Sequence, residues 1–487
     1  MPTAGSCYHF GVVLFTSATF LFLFLPALLL AYYLARSTSL RNFLLLSASA
    51  LFYVWGETKY SWLVLLLIAI NYLFALLLKR FAGRVMGGTL LAVSIAVNLI
   101  ALMRFKYATF FVDNLNAVGA AMSLAPLAVK EVALPLGISF FVFHCISYLV
   151  DIYRGNAAAQ KNPVTMALYI GFFPQLIAGP IIRYSQICDQ LISRVHTGEL
   201  FAEGVERFCI GLAKKLILSN SFAVSADAIF KLPPGELSTS VAWWGAIAYT
   251  LQLYFDFSGY SDMAIGLGKM LGFKFPENFN YPYTAQSIRE FWQRWHMTLS
   301  AWFRDYVYIP LGGNRHGKLR TAANLMTVFL LCGLWHGANW TFVVWGVFHG
   351  LFLALERTRF GEVLRTAWRP LRHAYTMLLV IVGWVFFRSQ SLPKAIAYLG
   401  SMFGFAEAAA SGPSLAYFLN GELIFLLAVG IISATPALAW AGRHASQMRF
   451  NARLLASTRA AWLLVLMIVS IAEISAGSYN PFIYFHF

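Results

Sequence analysis

Charge is what this sequence has least of. Asp, Glu, Lys and Arg make up 11% of its 487 residues, against about 25% in an average soluble domain. Apolar residues make up 59%. A chain so poor in charge cannot clothe a water-facing surface, so lipid must be its solvent. Cysteine is scarce as well. Cys7, Cys145, Cys188, Cys209 and Cys332 are an odd number with no CxxC pair. Most lie in apolar runs and read as buried small hydrophobes, neither a disulfide framework nor a zinc site. The first ten residues hold no Lys or Arg, and the apolar run at 12–34 is longer than a signal-peptide core of about 7–15 residues, so it reads as a retained first span. No GxSxG, P-loop, HExxH, HxxxxD or dinucleotide fingerprint is present. That argues against the common hydrolase, nucleotide, metal and glycerolipid acyltransferase sites. With no internal repeat and no low-complexity linker, residues 1–487 read as one membrane domain.

What the chain does have is long apolar runs. They fall near 12–34, 42–56, 60–78, 88–103, 132–150, 164–182, 208–230, 241–262, 321–335, 338–356, 374–390, 420–440 and 458–474. A span needs about 20 residues. The expected fold is therefore an all-α polytopic membrane protein with roughly 11–13 transmembrane helices. Lys and Arg outnumber Asp and Glu by 36 to 20, a net +16. Positive-inside topology and contact with anionic headgroups account for such an excess, and so does an anionic ligand on the cytoplasmic side; the two can coexist. Arg36 and Arg41 lie after the first run, and Lys79, Arg80 and Arg84 after the third. Both loops are expected in the cytoplasm, which puts the N-terminus outside. No nucleic-acid partner is expected.

Residues 183–207 read as an amphipathic connector. Residues 266–320 are too charged to span lipid: Arg289, Arg294 and Arg304 interleave with Trp292, Trp295 and Trp302. They suit interfacial or re-entrant helices packed within protein, on the cytoplasmic side. Pro276, Pro282, Pro310 and Gly312-Gly313 cut them into short pieces.

Three motifs can carry chemistry. In Leu334–Trp340 a histidine, His336, sits between two apolar runs. Burying imidazole in hydrocarbon is costly unless it has a partner or lines a wet cavity, so it is either functional or bonded to a neighbouring helix. On a helix Asn339 and Trp340 would share its face, and Gly337 would let a substrate approach the ring. In Arg289–Ser300, Arg289, Trp292 and His296 fall at helical spacing. That stripe can cap a tunnel and bind phosphate or adenine, or it can be an interfacial aromatic belt. In Gln252–Asp262 the carboxylates Asp256 and Asp262 need partners, for which Arg289, Arg294 or Arg304 are candidates. A structural ion pair is the simpler reading of Asp256, binding the alternative. His144, Tyr148 and Asp151 form one polar stripe, and His349, Glu356 and Glu473 read as structural.

At these residues the chain resembles the membrane-bound O-acyltransferase family, in particular its bacterial branch that includes the membrane subunit for alginate O-acetylation. The matching stretches are Phe173–Pro180, Tyr254–Gly268, Glu277–Gly313 and Trp335–Gly337. The resemblance implies helices around a central tunnel, His336 as the essential residue and His296 as a second tunnel histidine. The terminal hexapeptide Phe482–Phe487 is similar to one in related acyl-transfer systems, where the tyrosine, here Tyr484, is proposed to carry the acyl group; as an alternative it is an interfacial aromatic anchor. His486 departs from the Arg or Gln common there.

The expected chemistry is transfer of acetyl from cytoplasmic acetyl-CoA, as donor substrate, with no bound cofactor and no metal. Arg289, Arg294 and Arg304 would hold the donor's phosphates with Trp292 beside them. His336 would be the general base, and His296 or Asn339 would orient the acceptor. The acetyl group would then pass to an extracytoplasmic, SGNH-type transferase that modifies an exopolysaccharide or cell-wall glycan. The rival readings are D-alanyl transfer to teichoic acid from a carrier-protein thioester, and a non-enzymatic polysaccharide transporter subunit. The expected location is a bacterial inner membrane.

Overall fold

A computed structural model describes residues 14–130, 132–405, 412–447, 452–477 and 479–481. The described residues are helical, with no strand among them. The chain is a polytopic membrane protein. Among the described residues five helices are long and apolar enough to cross a membrane: Ser61–Arg80, Val85–Ala121, Gly198–Ile229, Arg369–Arg388 and Ala456–Ser475. Gly421–Ser433 and Ala437–His444 add a sixth if taken as one span bent by 65°. The bend falls at Pro436, which has no N–H to continue the first helix. Phe20–Leu34, Ile138–Tyr153 and Trp340–Leu355 are shorter apolar helices.

The chain packs as two compact units. The first comprises Met1–Val205 with Gly266–Phe275. Its centre is Ile138–Tyr153, buried on every face from Ile138 to Ile152. The helices Ser61–Arg80 and Val85–Leu102 pack against it. They are joined to each other by a reciprocal amide pair, Asn71 and Asn98, at 3.0 and 2.8 Å. With lipid outside, such polar pairs hold helices together where apolar burial gives no drive. Their outer faces carry exposed Leu65, Leu73 and Ile100.

The run expected as a span at 164–182 is not one helix. Pro163–Gly171 ends before a four-residue turn at Phe173–Leu176, and irregular backbone follows. Pro174 and Pro180 cannot donate backbone hydrogen bonds. A side chain on Gly179 would stand 2.4 Å from the Pro174 carbonyl oxygen. The segment is buried, and Gln175 donates to the Tyr169 carbonyl. Irregular backbone at membrane depth is tolerated when protein satisfies it in this way.

The second unit comprises Glu206–Ile265 with Pro276–Phe487. It contains most of the long Thr239–Met270 helix, the hairpin Gly317–His336 and Trp340–Leu355, and the helix Arg369–Arg388. Between residues 276 and 316 the chain breaks into helices of three to seven residues, as its prolines and glycines imply. The two helices of the hairpin are in backbone contact. A Cβ on Gly333 would lie 2.3 Å from the Phe342 carbonyl oxygen, and one on Gly346 would lie 2.3 Å from that of Phe329. Two small residues let the backbones touch.

Candidate functional site

His336 is the last residue of its helix. Gly337 follows in extended conformation, and the next helix begins at Trp340 with Asn339 as its cap. The single helix expected over Leu334–Trp340 is therefore broken. Asn339 and Trp340 do not share a helical face with His336. The Asn339 side chain accepts from Thr341 N–H at 3.0 Å and donates to the Gln390 carbonyl at 3.0 Å. Its amide serves the turn. Gly337 does not open the ring to a substrate: the Phe342 ring fills the place a side chain would take, 2.2 Å from the Cβ position.

The break delivers the imidazole to a buried aromatic enclosure. His336 is 5% exposed. The rings of Trp335, Trp345 and Phe387 lie 4.8, 5.0 and 5.3 Å away. Its Nδ1 is 2.7 Å from the Cys332 carbonyl oxygen, one turn back. A carbonyl can only accept, so Nδ1 carries the proton and Nε2 carries the lone pair.

His296 arrives by a different device. The helix Ile288–Arg294 ends, Trp295 is extended, and His296 takes a left-handed conformation at φ 44° before Met297–Phe303 begins. Arg289, Trp292 and His296 therefore do not form one helical stripe. A left-handed residue with a side chain costs about 1–3 kcal/mol, a strain that clusters at functional sites. Tyr281, at φ 46°, lies in the same block. Asn278 holds the ring: its Oδ1 is 3.1 Å from His296 Nδ1 and accepts from Thr298 Oγ1 at 2.8 Å. The same tautomer follows, with Nε2 bare. The Trp335 ring is 6.4 Å from the His296 ring and also packs on His336.

Around these rings lie polar atoms with no hydrogen-bond partner among the described residues: His296 Nε2, Trp345 Nε1, Trp292 Nε1, Thr341 Oγ1 and both nitrogens of His349. The Trp292, Trp345 and His349 rings contact one another at 5.1–5.5 Å. Thr341, Trp345 and His349 recur every four residues on one buried helix face. Buried polar groups are nearly always paired, so this cluster calls for water or a ligand.

The three arginines expected to act together do not converge. Arg294 pairs with Glu290 at 2.9 Å, and Arg304 with its neighbour Asp305 at 2.7 Å. Arg289 lines a cavity of about 320 Å³ with Glu290, Glu356, Arg365 and Arg372. The last two were not singled out from sequence, and nothing in local spacing marks them. Glu356 accepts from the N–H groups of Ile288 and Arg289, at 2.7 and 2.9 Å, and so caps the helix that carries Trp292. None of the arginines is the partner of Asp256. That partner is Lys215, at 2.7 Å with both side chains buried, while Asp262 pairs with Arg207 and Lys214. Tyr484 lies outside the described residues.

Comparison with known proteins identifies the family. The model of the membrane-bound O-acyltransferase family matches residues 129–392, which contain both histidines. The chain is 42% identical to a protein of Azotobacter vinelandii named Probable alginate O-acetylase AlgI, over 98% of this chain and all of that one. It is 37% identical to the peptidoglycan O-acetyltransferase of Helicobacter pylori, over 81% of this chain and 80% of that one. It is 29% identical to the teichoic acid D-alanyltransferase of Bacillus subtilis, over 52% of this chain and 66% of that one. A buried histidine pair in an all-helical membrane scaffold, a family model over more than half its length and end-to-end likeness to an O-acetylase give one answer: the chain belongs to the membrane-bound O-acyltransferase family.

Proposed function

We propose that this O-acyltransferase moves acetyl from cytoplasmic acetyl-CoA to a hydroxyl on the far side of a bacterial inner membrane, for O-acetylation of an exopolysaccharide or cell-wall glycan. The observation that carries this reading is the His336 tautomer. Nδ1 donates to Cys332, so Nε2 is the basic nitrogen. The acceptor O–H gives its proton to Nε2 as the oxygen attacks the thioester carbon. The C–S bond then breaks, and the imidazolium returns the proton to the departing thiolate. An imidazole titrating near pH 6.5 in water suits both steps at neutral pH. His296, whose Nε2 has no hydrogen-bond partner among the described residues, orients the acceptor by accepting from a neighbouring hydroxyl of the sugar or from a bridging water.

The unpaired atoms of Trp292, Thr341, Trp345 and His349 support a passage lined by hydrogen-bonding groups. The cavity at Arg289, Arg365 and Arg372 suits the donor's phosphates. CoA is too large and charged to cross lipid, whereas an acetyl group is small. A passage moves the group while its carrier stays behind, and a separate SGNH-type transferase finishes the reaction outside. By the positive-inside rule the N-terminus is extracytoplasmic. The end-to-end likeness to an O-acetylase puts acetyl ahead of D-alanyl.

The test uses sealed vesicles containing the protein, with ¹⁴C-acetyl-CoA on one side and an oligosaccharide with the partner transferase on the other. Label on the oligosaccharide supports the reading. No thioester consumption, with active partner present, contradicts it.

A further inference from the structure

Lys215 lies in a π-helical turn, Lys214–Ser219, that interrupts an otherwise regular helix. Such turns are rare and recur at functional sites. Here the turn sends neighbouring lysines to different carboxylates, Lys214 to Asp262 and Lys215 to Asp256. The Lys215 and Asp256 side chains are 2% and 1% exposed. A buried pair is expensive, and each ammonium proton not on the carboxylate needs its own acceptor. One of those acceptors is the carbonyl of Pro481, far along the chain.

Two more contacts fix the same segment. Asn220 Nδ2 donates to Asn480 Oδ1 at 3.3 Å. The Tyr479 hydroxyl donates to Asp227 at 2.7 Å, and Arg388 holds that carboxylate from its other oxygen at 2.5 Å. Burial and Asp227 push the Tyr479 phenol up to about 12, so it remains a donor at physiological pH. Arg388 follows Phe387, whose ring packs 5.3 Å from the His336 ring. The segment is thus tied at three successive residues, one of them linked through Asp227 and Arg388 to the helix that carries Phe387.

We propose that Lys215, with Asp256, latches residues 479–481 beside the His336 site and is a positioning residue for acyl transfer. The latch fixes residues 479–481 and, through Asp227 and Arg388, bears on the helix whose Phe387 ring packs on His336. This rests on the acyl-transfer reading above. A lysine kept only for helix packing would need the carboxylate and not the carbonyl of a distant segment.

The experiment uses the full chain in membranes. Asn220→Cys and Asn480→Cys are introduced together, and oxidation is read as the 220–480 cross-link by mass spectrometry. It is repeated with Lys215→Met and Asp256→Asn added, a pair that leaves no orphan charge and nearly preserves volume. Detergent-solubilised Tm reports folding. The latch predicts a cross-link in the first protein that keeps donor-dependent transfer. With the lysine removed and Tm unchanged, it predicts about tenfold or more loss of both cross-link and transfer, the factor a hydrogen bond to a charged group carries. A conservative Lys215→Arg should recover part of the cross-link. No cross-link in the first protein, or an undiminished one without the lysine, overturns the proposal. The cross-link needs no donor, so it is read independently of whether the donor is acetyl-CoA.

Discussion

Gly333 and Gly346 pack face to face, each with its Cβ position 3.3 Å from the other's Cα. Because the helix that carries Gly333 ends at His336, this contact sets where the imidazole emerges. Gly346→Ala would put a methyl 2.3 Å from the Phe329 carbonyl oxygen. A backbone oxygen cannot rotate away, so the helices must separate. Overpacking of this kind costs about 1–3 kcal/mol. The expected outcome is a lower Tm and reduced transfer together, whereas Gly400→Ala, with nothing near its Cβ position, should change neither.

Asn339 is a helix cap and a tie to Gln390. Asp caps as well as Asn, while an apolar residue costs about 1 kcal/mol. Asn339→Asp should keep more stability than Asn339→Leu in thermal unfolding, losing only the amide donation to Gln390. A residue needed to contact substrate would instead lose transfer equally in both variants.

His296 holds φ 44°, a region Asn enters more readily than most residues. His296→Asn should therefore fold, with Tm near that of the parent. Without the bare Nε2 the acceptor is poorly held, and transfer should fall by about 10²-fold, the lower end of what a positioned acid–base group supplies. Unchanged transfer would remove His296 from the site.

His196, in the loop before Gly198, is held as a neutral base. Arg41 donates to its Nδ1 at 3.2 Å, and the Tyr32 hydroxyl lies 2.8 Å from Nε2. Burial, then Arg41 and Arg194, lower its affinity for a proton. The unfolded loop binds the proton first, so this contribution to stability is complete above about pH 6.5 and is lost as pH falls below it. Amide exchange at residues 193–197 should quicken on acidification below about pH 6.5. His196→Gln should abolish that dependence.

The helical architecture was legible because hydrophobic runs of span length have few other fates in a chain with so little charge. The broken helices between 276 and 316 were legible for the converse reason, since arginines and prolines cannot continue a lipid-facing helix, although Thr239–Met270 runs past the expected start at 266 and Gly317–His336 begins before the expected end at 320. His336 stood out as an ionisable group between apolar runs. The turn that presents it did not, because spacing alone continues a helix through Gly337, and only the Phe342 ring explains why the chain leaves it. The left-handed His296 likewise has no local signature. Arg365 and Arg372 join Arg289, and Lys215 joins Asp256, through tertiary packing that no window of sequence contains. The run at 164–182 misled because its apolar residues are span-like, while its prolines and Gly179 decide the backbone.

The most direct test is His336→Ala in purified protein supplied with a thioester donor, with thiol release and acyl transfer followed alongside Tm. A general base here predicts that both rates fall by about 10²–10⁴-fold while Tm moves little. Rates within a few-fold of the parent, in a protein shown to be folded, would contradict the account at its centre.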